Sequence, residues 1–276
     1  MDKNFVSGSG WQRLFVELQE ARETGQDVRP VLDRWLPRHR RHVEEVQRAG
    51  HPDNHGRPLG VPEPGAYTTS QRLYALGRVL DVLLVDRAPR ADLVPPGLAP
   101  AARAETFPAF CASLGATPIG DRPFHPFFHE VVEVVPSDDP DEEPTILEER
   151  WPGHLMDAMV LVRTGVVVRA GAHHLVHGVA DRSTLYWTFL RPGRPTEDLS
   201  SGWGSRSQWT TGFRRDYLVD GLLHYNVDEA LGEGRHVEPD EIDAAAMTGI
   251  VRHRCSTVVD HGDVFPYDAH HVEPAP

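Results

Sequence analysis

Lysine is almost missing from this chain: Lys3 stands alone, and the rest of the basic charge is arginine. Basic residues total 28 against 41 acidic ones, a formal charge of −13. That balance argues against binding nucleic acid by phosphate neutralisation, which needs a basic surface. Cysteine is equally scarce. Cys111 and Cys255 are the only two, too few for a disulfide framework and in no Cys-x-x-Cys arrangement. No apolar run approaches the roughly 20 residues that span a bilayer. Met1–Phe5 lacks a basic stretch followed by an apolar one, so no signal peptide is read there and a cytoplasmic location is expected. Gly-x-Ser-x-Gly, Walker A and Gly-x-Gly-x-x-Gly fingerprints do not occur, nor does His-Glu-x-x-His.

Within 276 residues, 39% hydrophobic and 25% charged, the chain has ample length for a soluble core. Its first part has helical periodicity. Trp11, Leu14, Phe15 and Leu18 repeat at i, i+3, i+4 and i+7, with Gly25 as a stop. Asp27 caps a second segment through Leu32, Trp35 and Leu36, broken by Pro37 before Val43 and Val46 resume the period. Leu73, Leu76, Val79, Leu80, Leu83 and Leu84 form a broad apolar face after a cap at Thr69 or Ser70. A short helix is expected within 101–114, with Pro108 against it. Proline-rich connectors at 50–65 and 88–100 separate these segments.

The period changes in the middle. Strands are expected at 129–135, 145–150, 159–163, 166–170, 184–190 and 222–227, with turns at Thr164-Gly165 and 180–183. A last helix is expected from Glu238 towards Arg254, and an irregular tail from Asp260. The expected class is α+β: N-terminal helices, then a mainly antiparallel sheet or partial β-barrel, then a C-terminal loop and helix. A division into 1–115 and 116–276 within one compact unit follows.

Sixteen histidines supply the candidate chemistry. His173 and His177 lie four apart, so they share a side in a helix and in a strand alike. His125 and His129 repeat that spacing. Two imidazoles on one face suit a divalent transition metal, iron, copper or zinc, which accepts neutral ring nitrogen. The two pairs are therefore the expected ligands, with His154 and His174 as substitutes and Glu130 or Asp157 as general base or orienting carboxylate. Phe124, Phe127, Phe128, Tyr186 and Trp187 adjoin the histidines, and these apolar walls lean towards oxidative chemistry on a small molecule. The bland alternative is that sixteen histidines produce close neighbours by chance.

A second constellation runs from Asp198 to Asn226. Arg206, Trp209, Arg214 and Arg215 are residue types that grip a planar or anionic group, guanidinium bidentately and indole by stacking. Against this stands a loop whose arginines simply pair with neighbouring carboxylates. The competing function is a non-catalytic interaction protein that uses this Trp/Arg loop. His253 near Cys255, and the turn at Asp260–Asp263, are weaker acid–base or thiol candidates. Metal, substrate and reaction type are not resolved at this level.

Overall fold

A computed structural model describes residues 10–51, 66–84, 105–191, 193–197, 214–227, 242–262, 264 and 269–276, with backbone alone at 66–70 and 197. Its helices are α1 (Gly10–Glu23), α2 (Arg29–Trp35), α3 (Arg40–Gly50), α4 (Ala66–Leu84), α5 (Thr106–Ser113) and α6 (Ala244–His253). The helical stripes read from the sequence are the buried ones. Trp11, Leu14, Phe15 and Leu18 of α1 and Leu73, Leu76, Val79, Leu80, Leu83 and Leu84 of α4 are all inside. Gly25 ends α1 with φ at 69°, a left-handed conformation that glycine adopts without a side-chain clash. Asp27 Oδ1 accepts the Arg29 amide at 2.9 Å, and Pro37 falls in a 3-10 turn, Leu36–Arg38, that separates α2 from α3. Pro108 is tolerated because it lies in the first turn of α5, where no intrahelical N–H bond is required. α4 begins at Ala66, before the expected cap at Thr69 or Ser70.

Two main sheets follow. Strands β1 (Thr117–Pro118), β4 (His154–Met156), β5 (Met159–Val162), β9 (Tyr217–Val219), β10 (Leu222–Tyr225) and β11 (His271–Pro274) form a six-stranded sheet, β1-β4-β5-β9-β10-β11, antiparallel throughout. β2 (His129–Pro136), β6 (Thr164–Ala170) and β3 (Thr145–Trp151) form a second sheet in which β2 runs parallel to β6. A short parallel pair joins β7 (Leu185–Tyr186) to β8 (Thr196–Glu197). The class is α+β with mostly antiparallel pairing, and no closed barrel forms among the described residues.

Three local expectations are corrected. Thr164-Gly165 is not a hairpin turn but the start of β6, where the chain leaves one sheet for the other. The transition is held by the Thr164 amide donating to the Phe128 carbonyl (2.8 Å) and by Thr164 Oγ1 accepting the Gly153 amide (2.9 Å). Gly165 is required by a close approach: a Cβ there would meet the Trp151 ring at 2.3 Å. The strand expected at 184–190 is confined to two residues, and the tail from Asp260 contains β11.

One apolar cluster joins the helices to the sheet, since Trp151, Met156, Met159, Leu161, Val162 and Tyr217 pack with the buried faces of α1, α4 and α5. Charge is buried at the same junction. Arg191 donates through Nε to Glu130 Oε1 on β2 (2.8 Å) and through Nη1 to Asp81 Oδ1 on α4 (2.6 Å). All three side chains are at most 10% exposed. Asp81 also accepts the Phe189 amide at 2.6 Å, which pins the 187–191 segment to α4. Arg191→Met leaves two carboxylates buried without their cation and should cost about 3–5 kcal/mol in urea unfolding. Asp81→Leu, Glu130→Met and Arg191→Met combined should recover most of that loss. A single-variant loss below about 1 kcal/mol, the range of exposed ion pairs, would place the triad in solvent instead.

Candidate functional site

A cleft of about 780 Å³ opens between α6 and loops that flank the β2-β6-β3 sheet. Pro123–Pro126 leads into β2 on one side, and Glu143 and Pro144 precede β3. His173–Leu175, just after β6, forms another wall, and the α6 face with Thr257–Val259 and His261 closes the fourth. Gly171 makes this arrangement sterically allowed, because a Cβ there would lie 2.3 Å from the Pro140 carbonyl oxygen. The acidic loop Asp138–Glu143 therefore lies directly on the turn. The Gly171 amide donates to Glu142 O (2.9 Å) and the His173 amide to Pro140 O (3.0 Å). Asp243 caps α6, accepting the Ala245 and Ala246 amides at 2.9 and 2.8 Å, as an N-terminal carboxylate should.

The four expected metal ligands divide. His125 and His173 line the cleft; His129 and His177 do not. His129 is buried at the start of β2, its Nδ1 folded back to within 3.0 Å of both the amide and the carbonyl of His125. His177 turns the other way, with Nδ1 3.0 Å from the Val134 carbonyl and 3.1 Å from Asp181 Oδ2. His173 Nδ1 sits 2.8 Å from Asp141 Oδ1 at the exposed rim. The reason is backbone geometry. Residues 171–180 are successive turns, neither helix nor strand, so a spacing of four carries no common side. Among the described residues no group of three or more His, Cys, Asp and Glu is placed to hold a metal ion, so the iron, copper or zinc centre expected from the spacing finds no ligand set there. His154 is buried beside the Phe107 ring and His174 lines the cleft.

Glu130 is committed to Arg191, and Asp157 occupies an exposed turn with φ at 53°, ion-paired with His51. The two expected acid–base groups are thus on separate parts of the molecule. Arg214 is buried with its guanidinium 5.4 Å from the Trp187 ring centre, and Arg215 donates to Tyr217 Oη at 3.0 Å. Arg214 thus belongs to the interior, while Arg215 is half-buried. Arg206 and Trp209 lie outside the described residues.

Other groups come together without a sequence signal. Glu273 on β11 accepts from Tyr225 Oη (2.5 Å) and Arg252 Nε (3.2 Å), and lies 3.5 Å from His125 Nε2. Burial works against the Glu273 carboxylate, yet Tyr225 and Arg252 hold it below the usual range. Asp216, just before β9, accepts from Arg163 (2.9 Å) and Arg254 (2.7 Å) through one oxygen and from the Asn226 amide through the other. Arg163 also donates to the Arg252 carbonyl at 2.9 Å, satisfying an otherwise free carbonyl at the α6 C-terminus.

Behind the cleft, a smaller cavity of about 40 Å³ is lined by Asp81, Glu130, Arg163, Arg191, Arg254 and His253 among others. His253 lines both spaces. Its ring stacks on Phe124 (6.2 Å, 26°), and Phe124 stacks in turn on His129 (5.6 Å, 24°). Burial, then the neighbouring Arg252 and Arg163, push the His253 pKa down to about 3. Burial likewise takes His129 to about 4 and lowers His125. These three imidazoles are neutral at pH 7. Cys255 is no nucleophile in this setting: it is buried, its thiol donates to the Ala180 carbonyl (3.6 Å), and burial raises its pKa.

No family model, curated protein or solved structure matches this chain.

The His129 shift is a stability statement. The unfolded imidazole, with a pKa near 6.5, binds a proton that the folded one refuses until about pH 4. The stabilisation is therefore complete above pH 6.5 and is lost as pH falls towards 4, about 3 kcal/mol in all. Between pH 7 and 4.5, His129→Gln should lose about 2–3 kcal/mol less unfolding free energy than the wild type. Equal losses would show that His129 titrates normally.

Proposed function

We propose that the protein binds a small polar molecule in the histidine-lined cleft and acts on it through hydrogen bonding and proton transfer by imidazole. The observation that carries this reading is convergence. His125, His173, His174, His253 and His261 come from four separate segments and line one cleft. Apolar walls from Phe124, Leu175 and Ile250 complete it, giving a concave surface on which apolar walls and converging polar groups meet, as suits a small ligand. A neutral imidazole offers one donor and one acceptor, so His125 and His253 can recognise hydroxyl, carbonyl or amine groups without a charge of their own. His125 has a defined tautomer. Its Nδ1 accepts the Phe127 amide at 3.3 Å, which puts the proton on Nε2, the nitrogen nearest Glu273.

No metal enters this proposal, because the two members of each expected pair face different ways: His125 and His173 line the cleft, and His129 and His177 do not. Of the stretch 198–226, residues 198–213 lie outside the described residues, and Arg214 is engaged inward with Trp187.

Gly249 lines the cleft, and a Cβ there meets nothing closer than Thr257 Oγ1 at 3.7 Å. Gly249→Phe therefore fills space without forcing the helix apart. Tag-free protein equilibrated with a metabolite extract should retain a small molecule detectable by native mass spectrometry. Gly249→Phe should weaken its retention by roughly tenfold or more, the effect of losing about 1.4 kcal/mol, with an unchanged melting temperature. Equal retention by the variant, or none by the wild type, refutes the cleft reading. One equivalent of iron, copper or zinc by elemental analysis, lost in His173→Ala and His177→Ala, would replace imidazole chemistry with the metal centre expected from the spacing.

A further inference from the structure

We infer that the junction of the cleft with the inner cavity, at His253, is a binding site for an oxyanion, a phosphate, sulfate or carboxylate group carried by the ligand. This rests on the cleft as the ligand site and names the chemical class it takes.

The charge inventory points there. Four arginines line the two spaces, Arg163, Arg191 and Arg254 the inner one and Arg252 the cleft, and Arg194 lies near His253 without lining either. Four carboxylates face them, and each is already engaged. Asp81 and Glu130 accept from Arg191, Asp216 from Arg163 and Arg254, and Glu273 from Arg252. Arg194 has backbone acceptors, the Ser183 carbonyl (3.0 Å) and the Val131 carbonyl (2.8 Å), but contacts no carboxylate among the described residues, and its Nη2 is buried without an acceptor. Arg163 is 4% exposed and its Nε also lacks an acceptor. A buried donor on a permanent charge, Arg163 Nε, therefore stands without an acceptor at the inner cavity, a partly desolvated place where an anion is attracted more strongly than in water. The carboxylates of the outer cleft lie elsewhere, Asp243 on the amides at the α6 N-terminus and Glu143 at the rim by His174.

The backbone agrees. α6 ends with Arg254 in the left-handed region, φ at 61°, a position where glycine is the usual occupant. An arginine there carries a conformational cost, and its guanidinium reaches Asp216 and the inner cavity in return. His253 beside it adds a neutral N–H donor, the form of imidazole that stabilises a developing or resident oxyanion while giving up no proton. At about 40 Å³ the inner space admits on the order of two or three oxygen-sized groups, enough for the head of such a ligand, with its body in the cleft.

The test uses the full-length, tag-free protein and three probes: inorganic phosphate, sulfate and acetate, at constant ionic strength set with chloride. Calorimetry should show saturable one-to-one binding of at least one probe. The probe preferred, tetrahedral or planar, gives the group. His253→Gln and Arg254→Gln should each weaken it by roughly tenfold or more, as loss of a charge-assisted hydrogen bond does. Arg254→Lys should recover part of the loss, and His51→Gln, at the exposed turn with Asp157, should leave binding unchanged. In the wild type, the His253 Cε1–H resonance should titrate about one pH unit higher with the probe bound, because an adjacent anion favours the imidazolium. This last readout needs no variant, so a poorly folding Arg254→Gln does not blunt the test. No saturable binding, an unmoved His253 titration, or binding indifferent to both variants would overturn the inference. A cleft ligand that is retained but carries no oxyanion removes this inference and leaves the cleft reading intact. Phosphate binding that survives Gly249→Phe, without any retained small molecule, does the reverse.

Discussion

A buried guanidinium must find its counter-charge inside the protein, and that constraint fixes how the layers of this molecule meet. Arg191 cannot leave Asp81 and Glu130, because the desolvation cost of three charges is offset only while they remain together. Asp81 belongs to α4, Glu130 to β2 and Arg191 to the segment after β7, so the triad sets the position of three elements at once. Asp216 does the same on the other side, holding Arg163 at the β5–β6 transition to Arg254 at the end of α6. Apolar burial provides most of the driving force in such a fold, but it is non-directional. The ion networks add direction, because displacing one element breaks several charge-assisted hydrogen bonds together.

The cleft inherits its shape from these networks. α6 forms one wall, and its C-terminus is held by Arg163 donating to the Arg252 carbonyl and by Arg254 on Asp216. The opposite wall is irregular backbone: the acidic loop, the 171–175 turn and the approach to β2. Irregular segments can converge without sharing a sheet register, which is how histidines distant in sequence reach one surface. Burial first, and then the arginines behind that surface, set its protonation. Together they keep His253 neutral well below the pH at which a free imidazole charges. Structure and electrostatics are one arrangement here, since the side chains that anchor α6 are the ones that tune its last histidine.

How much of this was legible in the sequence depended on period. α1 and α4 were readable because one apolar stripe, repeated over three or more turns, has a single way to be buried. The valine-rich strands β2 and β6 were readable for a similar reason. β11 was not: His271–Pro274 is four residues long and pairs with β10 through backbone bonds, which leave no side-chain pattern. The histidine pairs show where the method stops. A spacing of four has directional meaning only on regular backbone, and 171–180 is a run of turns. His125 and His173 line one cleft, while His129 and His177 are drawn away by the His125 backbone and by Asp181. Asp216 and Glu273 carried no signal, because a carboxylate's partner is set by tertiary contact and lies tens of residues away in sequence.

The near-absence of lysine takes on a different meaning against this interior. An ammonium is a compact, strongly hydrated charge that loses its proton readily when buried, whereas a guanidinium keeps its charge and spreads it over five donors in a plane. Arg163 uses that plane to reach a helix-end carbonyl and a carboxylate together, and Arg191 to reach two carboxylates and the Leu190 carbonyl. Arg194 reaches two carbonyls, and Arg22 donates to the Val82 carbonyl at 2.6 Å. A lysine at any of these positions would supply the charge without the geometry, leaving either a carbonyl or a carboxylate unsatisfied. An interior of this kind cannot be built with arginine and lysine used interchangeably. The same property that lets these side chains brace the fold, several fixed donors on one permanent charge, leaves Arg163 Nε without an acceptor even though the other nitrogens of that guanidinium are engaged.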